Sequence, residues 1–365
     1  MKINILHLGF GKVGTEVVRQ LSDFERVLQS RLNVELNFLG VFNSKTQFLP
    51  ESGLLASQLI VKMESGGLKE GKDLDQAISK INEPFILLDT TASDQTFPYL
   101  IKALKKGGYL VLSNKKPLSG PYKNFKKLME FGENRIFFET VVGAGLPVIK
   151  TIKDMMSTGD EIIKIEGSFS GTLGFIFTEL QKGRKFSQVV KEARDQGYTE
   201  PDPRDDLSGL DIARKVLILS RLLGQKSELR KINLSGLVPD EMKDCSVEDF
   251  MQKLIHLDAL YAVRIKNASK KNESLRFLGS VEKNKSSVQL LEIDSSSDIG
   301  NLKGPDNIVV VQSRRYSKNP LVIKGPGAGI EVTAAGVFTD ILEAIKAIKA
   351  NQVIPAVLNT LPVAV

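Results

Sequence analysis

Up to about residue 140 the chain alternates short apolar runs with amphipathic stretches of helical period. That pattern predicts a parallel sheet covered on both faces by helices. Lys2–Leu8, Val34–Phe42, Phe85–Asp89, Tyr109–Ser113 and Ile136–Glu139 read as its strands. Helices are expected from Gly14 into the Arg31 region, over Phe97–Lys106 and over Tyr122–Asn134, with Gly107-Gly108 ending the second. The pattern then changes. A helix is expected to begin at Pro147, a strand to cover Ile162–Ser168, a helix to start at Gly171 and a long one to start near Asp206. Leu254–Ile265, Leu275–Val281, Val288–Ile293 and Ile308–Arg314 have mostly β character. The segment GPGAGIEVTAAGVFTDILEAIKAIK reads as a glycine turn feeding an amphipathic helix.

Composition narrows the class. The chain has 365 residues, 42% hydrophobic and 25% charged, enough for a real core and two domains. No run reaches the length of uncharged apolar residues that a membrane span requires, and the N-terminal run flows into glycines rather than a cleavage site. The net charge is +7, but the lysines are spread along the chain. The densest basic patch, Lys266–Ser286, also holds Glu273 and Glu282 and reads as a hairpin with a solvated turn. Nucleic-acid binding is therefore not expected, whereas a phosphate-bearing cofactor suits a mildly basic protein. The single cysteine, Cys245, excludes a disulfide framework and points to a reducing cytoplasm.

Gly9-Phe10-Gly11-Lys12-Val13-Gly14 fits G-x-G-x-x-G between an apolar strand and a helix. In that setting the first glycine permits a tight turn, the second lets backbone approach pyrophosphate, and the third allows close helix–strand packing. The fold class expected is α/β: a Rossmann-type doubly wound parallel sheet followed by an α+β second domain. The second strand ends with Asn43 where an NAD-selective site usually has an acid, and Lys45 stands two residues later. The coenzyme reading is NADP or NAD, leaning toward NADP. Thr91, Ala92 and Ser93 follow a strand end and either contact ribose or nicotinamide or cap the next helix. Asn114 and Lys115 follow the strand YLVLS, at the carboxyl edge where ligands lie, while Lys116 reads as solvated.

The stretch YTEPDPRDDLSGLDIARK sets Glu200, Asp202, Asp205 and Asp206 before an apolar helix that contains Asp211 and Lys215. If residues 207–223 form one helix, Asp211 and Lys215 share a sector with Leu207, Ile218, Leu219 and Leu222. Burial would lower the lysine's pKa and make it a usable proton donor near neutrality, with Asp211 orienting it. A structural salt bridge explains the same spacing. Pro201 and Pro203 stiffen the acidic loop, whose carboxylates suit a substrate ammonium group better than a metal, since no His, Cys or EF-hand spacing is present. His7 and His256 lie in apolar runs and read as packed.

Taken together, GFGKVG, SNKKPLSG, ETVVGAGLPVI, GSFSGTLGFI, YTEPDPRDDLSGLDIARK and GPGAGIEVTAAGVFTDIL resemble homoserine dehydrogenase over nearly the whole chain. The resemblance implies reversible reduction of aspartate 4-semialdehyde to homoserine with NADH or NADPH, on the route to threonine, methionine and isoleucine. It implies Lys215 as proton donor, with Lys115 nearby and touching cofactor. Glu200, Asp206 and Asp211 would hold the substrate, and Tyr198 with the backbone of Gly171-Thr172 would complete the pocket. A sodium-type cation would sit on Glu139 and the carbonyls of Val142, Ala144 and Leu146. Gly329 would pack against the dinucleotide. The implied domains are 1–142 with 325–365 for the dinucleotide and 143–324 for catalysis and dimerisation, in a cytoplasmic homodimer. Because the chain starts at the Rossmann strand and ends soon after the last helix, neither a fused aspartate kinase nor a threonine-sensing domain is expected.

Rivals fit less well. A sugar or inositol dehydrogenase shares an E-K-P motif resembling Lys115-Lys116-Pro117, but needs a catalytic histidine, for which His256 lacks a setting. Aspartate-semialdehyde dehydrogenase needs a cysteine nucleophile, and Cys245 lies in the polar stretch KDCSVED. A nicotinamide-sensing regulator would not retain the Asp211–Lys215 pair.

Overall fold

The computed structural model describes residues 1–71 and 73–358, with side chains through 351. The chain divides into two compact units, Met1–Val141 with the segment from Gly329 onward, and Val142–Ala328.

The first unit is built on seven strands: β1 (Lys2–Leu8), β2 (Glu35–Phe42), β3 (Thr46–Phe48), β4 (Lys69–Glu70), β5 (Phe85–Asp89), β6 (Tyr109–Leu112) and β7 (Ile136–Phe137). Their order is β4-β3-β2-β1-β5-β6-β7. The five strands from β2 to β7 pair in parallel, as the buried, unalternating apolar runs require. The sheet is mixed rather than purely parallel, because β3 and β4 extend its edge in antiparallel fashion. The strand order reverses on either side of β1, and the helix Lys12–Leu32 leaves directly from that switch point. The last helix, Ile330–Leu358, returns to this unit by burying Ala334, Val337, Ile341, Ala344, Ile345 and Ile348, a three-and-four spacing that gives one apolar stripe. The expected strand Ile136–Glu139 is shorter, since Thr140–Gly143 is already helical. The expected helix to Asn134 stops at Met129, with Gly132 at φ 94° after it.

The second unit holds a six-stranded sheet, β13-β12-β8-β10-β11-β9, made from β8 (Ile162–Ser168), β9 (Asn233–Leu234), β10 (Glu273–Glu282), β11 (Lys285–Asp294), β12 (Asp306–Ser313) and β13 (Leu321–Pro326). β8 is flanked by β10 and β12, both antiparallel to it. The helices Gly171–Gln181, Leu210–Leu222 and Asp258–Lys270 all pack on β10. Gly279 allows the middle one to come close, for a Cβ there would lie 2.5 Å from Val216. On the other face Arg276 donates to the carbonyls of Ile299, Gly300 and Leu302 and pins that loop over Leu278 and Ile308.

Three expectations are corrected in this unit. Leu254–Ile265 is not a strand: Leu254–Leu257 is a 3-10 turn and Asp258–Lys270 a helix. Leu254, Leu257 and Tyr261 are buried while Ile255, Leu260 and Val263 are exposed, which is a helical phase that the β-branched content obscures. The hairpin expected over Lys266–Ser286 starts later, because Lys266 to Lys270 still belong to that helix; its turn lies between β10 and β11. The long helix near Asp206 is broken in two, Pro203–Leu207 and Leu210–Leu222, by Gly209 at φ 74°. Among the described residues no helix is long and apolar enough to cross a membrane.

Candidate active site

In the first unit the glycine loop bridges β1 and the helix Lys12–Leu32. Gly9 sits at φ 88°, a conformation that favours glycine, and its N–H donates to Phe42 O at 2.8 Å. A Cβ at Gly14 would lie 2.2 Å from Gly9 O, so the loop and the helix can meet only without one. A Cβ at Gly11 would meet nothing within 4 Å, which leaves room for a ligand to approach the backbone there. The first turn of the helix then presents N–H groups that no carbonyl of its own satisfies.

The loop borders a cavity of about 620 Å³ lined also by Asn43, Thr91, Ala92 and Ser93. Asn43 accepts from the Phe10 N–H at 2.8 Å, so its carbonyl oxygen is spent on the loop. Thr91 donates its hydroxyl to Asp89 at 2.7 Å. Asn114 is buried and spends its amide on the same group, donating to Asp89 Oδ2 at 3.1 Å and Ser93 O at 2.6 Å. It is a brace for the 89–93 turn. Lys12 and Lys45 are exposed, Val13 and Lys115 half-buried, and none of the four lines the cavity. Gly329, at φ 129°, opens the last helix, whose Thr333 N–H donates to its carbonyl. The sequence pattern missed Ser44, Gly71, Leu74, Gln95, Thr96 and Tyr99, which also line it. Gly71 ends the antiparallel edge that the alternation did not announce.

Glu139 also belongs to this unit; it is buried, and its N–H donates to Asp340 Oδ2 at 2.8 Å. Val142, Ala144 and Leu146 belong to the second unit and are buried, with Ala144 at φ 54°. Among the described residues no three His, Cys, Asp or Glu side chains cluster as a metal site.

In the second unit Lys215 lies in the middle of the helix Leu210–Leu222 with its side chain 9% exposed. Its Nζ donates to Phe169 O at 2.7 Å and stands 3.1 Å from Asp211 Oδ2, whose side chain is 48% exposed. The amine is thus buried while its carboxylate partner reaches toward solvent. Phe169 directly follows β8, just before Ser170 caps the helix Gly171–Gln181 by accepting from Leu173 N.

Beside that helix start, Thr172 Oγ1 lies 2.5 Å from Tyr198 O and 3.1 Å from Asp206 Oδ1, and the Glu200 N–H donates to Asp206 Oδ2 at 2.8 Å. Burial pushes the Asp206 carboxyl above the usual carboxylate range, and the negative charges of Glu200 and Asp205 add to it; the bonds from Glu200 N–H and Thr172 oppose the shift. Gly171 fits only as glycine, since a Cβ would lie 2.9 Å from Pro305 O. Tyr198 stacks at a tilt on Phe175, centroids 4.9 Å apart, and stays 41% exposed. Glu200 is exposed. Arg204 clamps Asp202 and donates to Lys243 O and Cys245 O, anchoring the acidic stretch to the 242–245 turn. Leu207 and Asp211 stand on separate helices, contrary to a single run from 207 to 223. His256 is exposed rather than packed; His7 is fully buried.

Known proteins match both parts of the chain. The model described as "Homoserine dehydrogenase" covers residues 147–342, and "Homoserine dehydrogenase, NAD binding domain" covers 9–139. The chain is 40% identical to the bifunctional aspartokinase/homoserine dehydrogenase 1 of Zea mays across 92% of its own length, but spans only 37% of that relative. It is 35% identical to the homoserine dehydrogenase of Schizosaccharomyces pombe, over 96% of this chain and 97% of that one. A hyperthermophilic archaeal homoserine dehydrogenase solved in complex with NADPH superposes with a TM-score of 0.72 at 25% identity, covering 94% of this chain and 98% of the other. The chain belongs to the homoserine dehydrogenase family.

Proposed function

We propose that the protein interconverts aspartate 4-semialdehyde and homoserine, with Lys215 moving the proton and NADP(H) as the favoured coenzyme. The observation that carries the chemistry is the buried Lys215 amine between Asp211 Oδ2 and Phe169 O. Bound NADPH would supply the hydride to the aldehyde carbon. Lys215 Nζ gives a proton to the carbonyl oxygen, and takes it back from the hydroxyl when the reaction runs toward the aldehyde. Asp211 and Phe169 O hold the amine in one direction, so little reorganisation is needed when the proton moves. Glu200 and Asp206 offer negative charge to the substrate ammonium, and the N-terminal turn of the helix Gly171–Gln181 offers N–H groups to its carboxylate.

The coenzyme would rest on the loop from Gly9 to Gly14, which has the open side at Gly11 that such a group needs. NADP is favoured because no carboxylate stands at the end of β2 to pair with a ribose diol: Asn43 is there, with its oxygen committed to Phe10. A monovalent cation beside Glu139 belongs to the same reading, on the family resemblance of the stretch ETVVGAGLPVI that holds it. Homodimerisation through the second sheet is also proposed, since Leu291, Val310 and Val322 leave part of its helix-free face half-exposed.

Spectrophotometric assay of nicotinamide reduction with homoserine and each coenzyme tests the reading. Homoserine-dependent reduction, faster with NADP, is expected; no reduction with either would remove it.

A further inference from the structure

We propose that His7 is a positioning residue for the dinucleotide loop, its Nε2–H steering the Thr90 hydroxyl onto Gly9 O. The proposal rests on the reading that this loop holds the coenzyme. His7 Nε2 lies 2.9 Å from Thr90 Oγ1, which in turn lies 2.6 Å from Gly9 O and 3.1 Å from Leu8 O. A threonine hydroxyl has one proton, and here a backbone carbonyl takes it. The imidazole must then be the donor at Thr90, which fixes the Nε2–H tautomer and leaves Nδ1 as a bare acceptor. Nδ1 has no hydrogen-bond partner among the described residues, although the side chain is wholly buried. An orphaned buried nitrogen costs stability that a leucine or phenylalanine would not. The histidine therefore contributes something other than packing.

That contribution converges on the loop. The Gly9 carbonyl is held inward by Thr90, next to the point where a Cβ on Gly14 would come within 3.0 Å of His7 Nε2. The Phe10 ring meets the imidazole edge-on, centroids 5.8 Å apart, while the Phe10 N–H is held by Asn43. His7 thus touches or steers Gly9, Phe10 and Gly14 from beneath, outside the cavity lining. Freed of its donor, Thr90 could turn its proton to Leu8 O and release Gly9.

The test is fluorescence titration of NADPH with the full chain, alongside thermal unfolding, for His7→Phe, His7→Gln and Thr90→Val. His7→Phe is expected to weaken NADPH by about five- to tenfold, the scale of one lost hydrogen bond, with Tm unchanged or higher. His7→Gln, which keeps a donor at similar reach, is expected to recover most of the affinity. The homoserine KM should move less than twofold in all three. Affinity within twofold of the unaltered protein in His7→Phe would overturn the proposal, and the same result in Thr90→Val would remove the hydroxyl as its route. Parallel losses of Tm and affinity with no recovery in His7→Gln would also overturn the proposal. Should His7→Phe fail to fold, His7→Leu takes its place, with the same expected loss and the same overturning result. If the unaltered protein bound neither NADPH nor NADH, the coenzyme reading would fall first and the proposal with it.

Discussion

At the scale of single residues, what the sequence exposes depends on whether a side chain or a backbone group does the holding. Asp211 and Lys215 could be paired from their spacing alone, because four residues bring two side chains together on a helix. Phe169 O, which also accepts from the amine, has no side-chain signature and came only with the fold. Glu200 is exposed and holds Asp206 through its backbone N–H rather than its carboxylate, which the proposed substrate role requires to stay available. Glu200→Leu is expected to raise the homoserine KM by about tenfold or more while the NADP KM stays within twofold; equal losses in both would point to misfolding. His7 makes a separate prediction about acid. Burial pulls its pKa down to about 3, so the folded chain binds that proton far less readily than the unfolded chain, whose imidazole titrates near 6.5. Stability is therefore complete above about pH 6.5 and drains away as pH falls toward 3, by about 2 kcal/mol at pH 5. His7→Phe lacks this loss, and its Tm advantage should widen between pH 7 and pH 5. A gap that stays constant across that range would contradict the buried neutral imidazole.

At the scale of elements, periodicity found the strands of both sheets that bury a continuous face and failed where phase and composition disagree. Leu254–Ile265 is rich in strand-forming residues, yet its buried positions follow a helical spacing. The edge pair β3 and β4 escaped notice because strands of three and two residues carry too little alternation to register. The break at Gly209 was likewise hidden: an apolar stripe can continue across a kink while the helix does not. Gly209 matters because it combines φ 74° with a close approach to the Phe277 ring, 2.9 Å from where a Cβ would stand. Gly209→Ala should lower stability by about 1–3 kcal/mol, read as a reduced midpoint in urea. It should also disturb the start of the helix that carries Asp211. An unchanged midpoint would mean that the ring yields and the turn stores no strain.

At the scale of the whole chain, both units were foreseen in kind from one strand–glycine–helix motif and a change of pattern after residue 140 or so. Their detail was not, since sheet edges, loop braces and cavity linings depend on contacts between segments far apart in sequence. Asn114, expected as a cofactor contact, is the clearest case: the sequence carries no sign that its amide braces the 89–93 turn. Assembly belongs to this scale as well. Leu291→Arg, on the helix-free face of the second sheet, should convert the proposed dimer to a monomer by light scattering; an unaltered mass would place any interface elsewhere.

The central claim is that the Lys215 amine carries the proton. Its most direct test is the kcat of homoserine-dependent NADP reduction in Lys215→Met, which keeps the buried volume and removes the amine, measured beside NADPH binding. The account predicts a kcat reduced by about a hundredfold or more, with NADPH affinity within twofold of the unaltered protein. A kcat within a few-fold of the unaltered protein would contradict it.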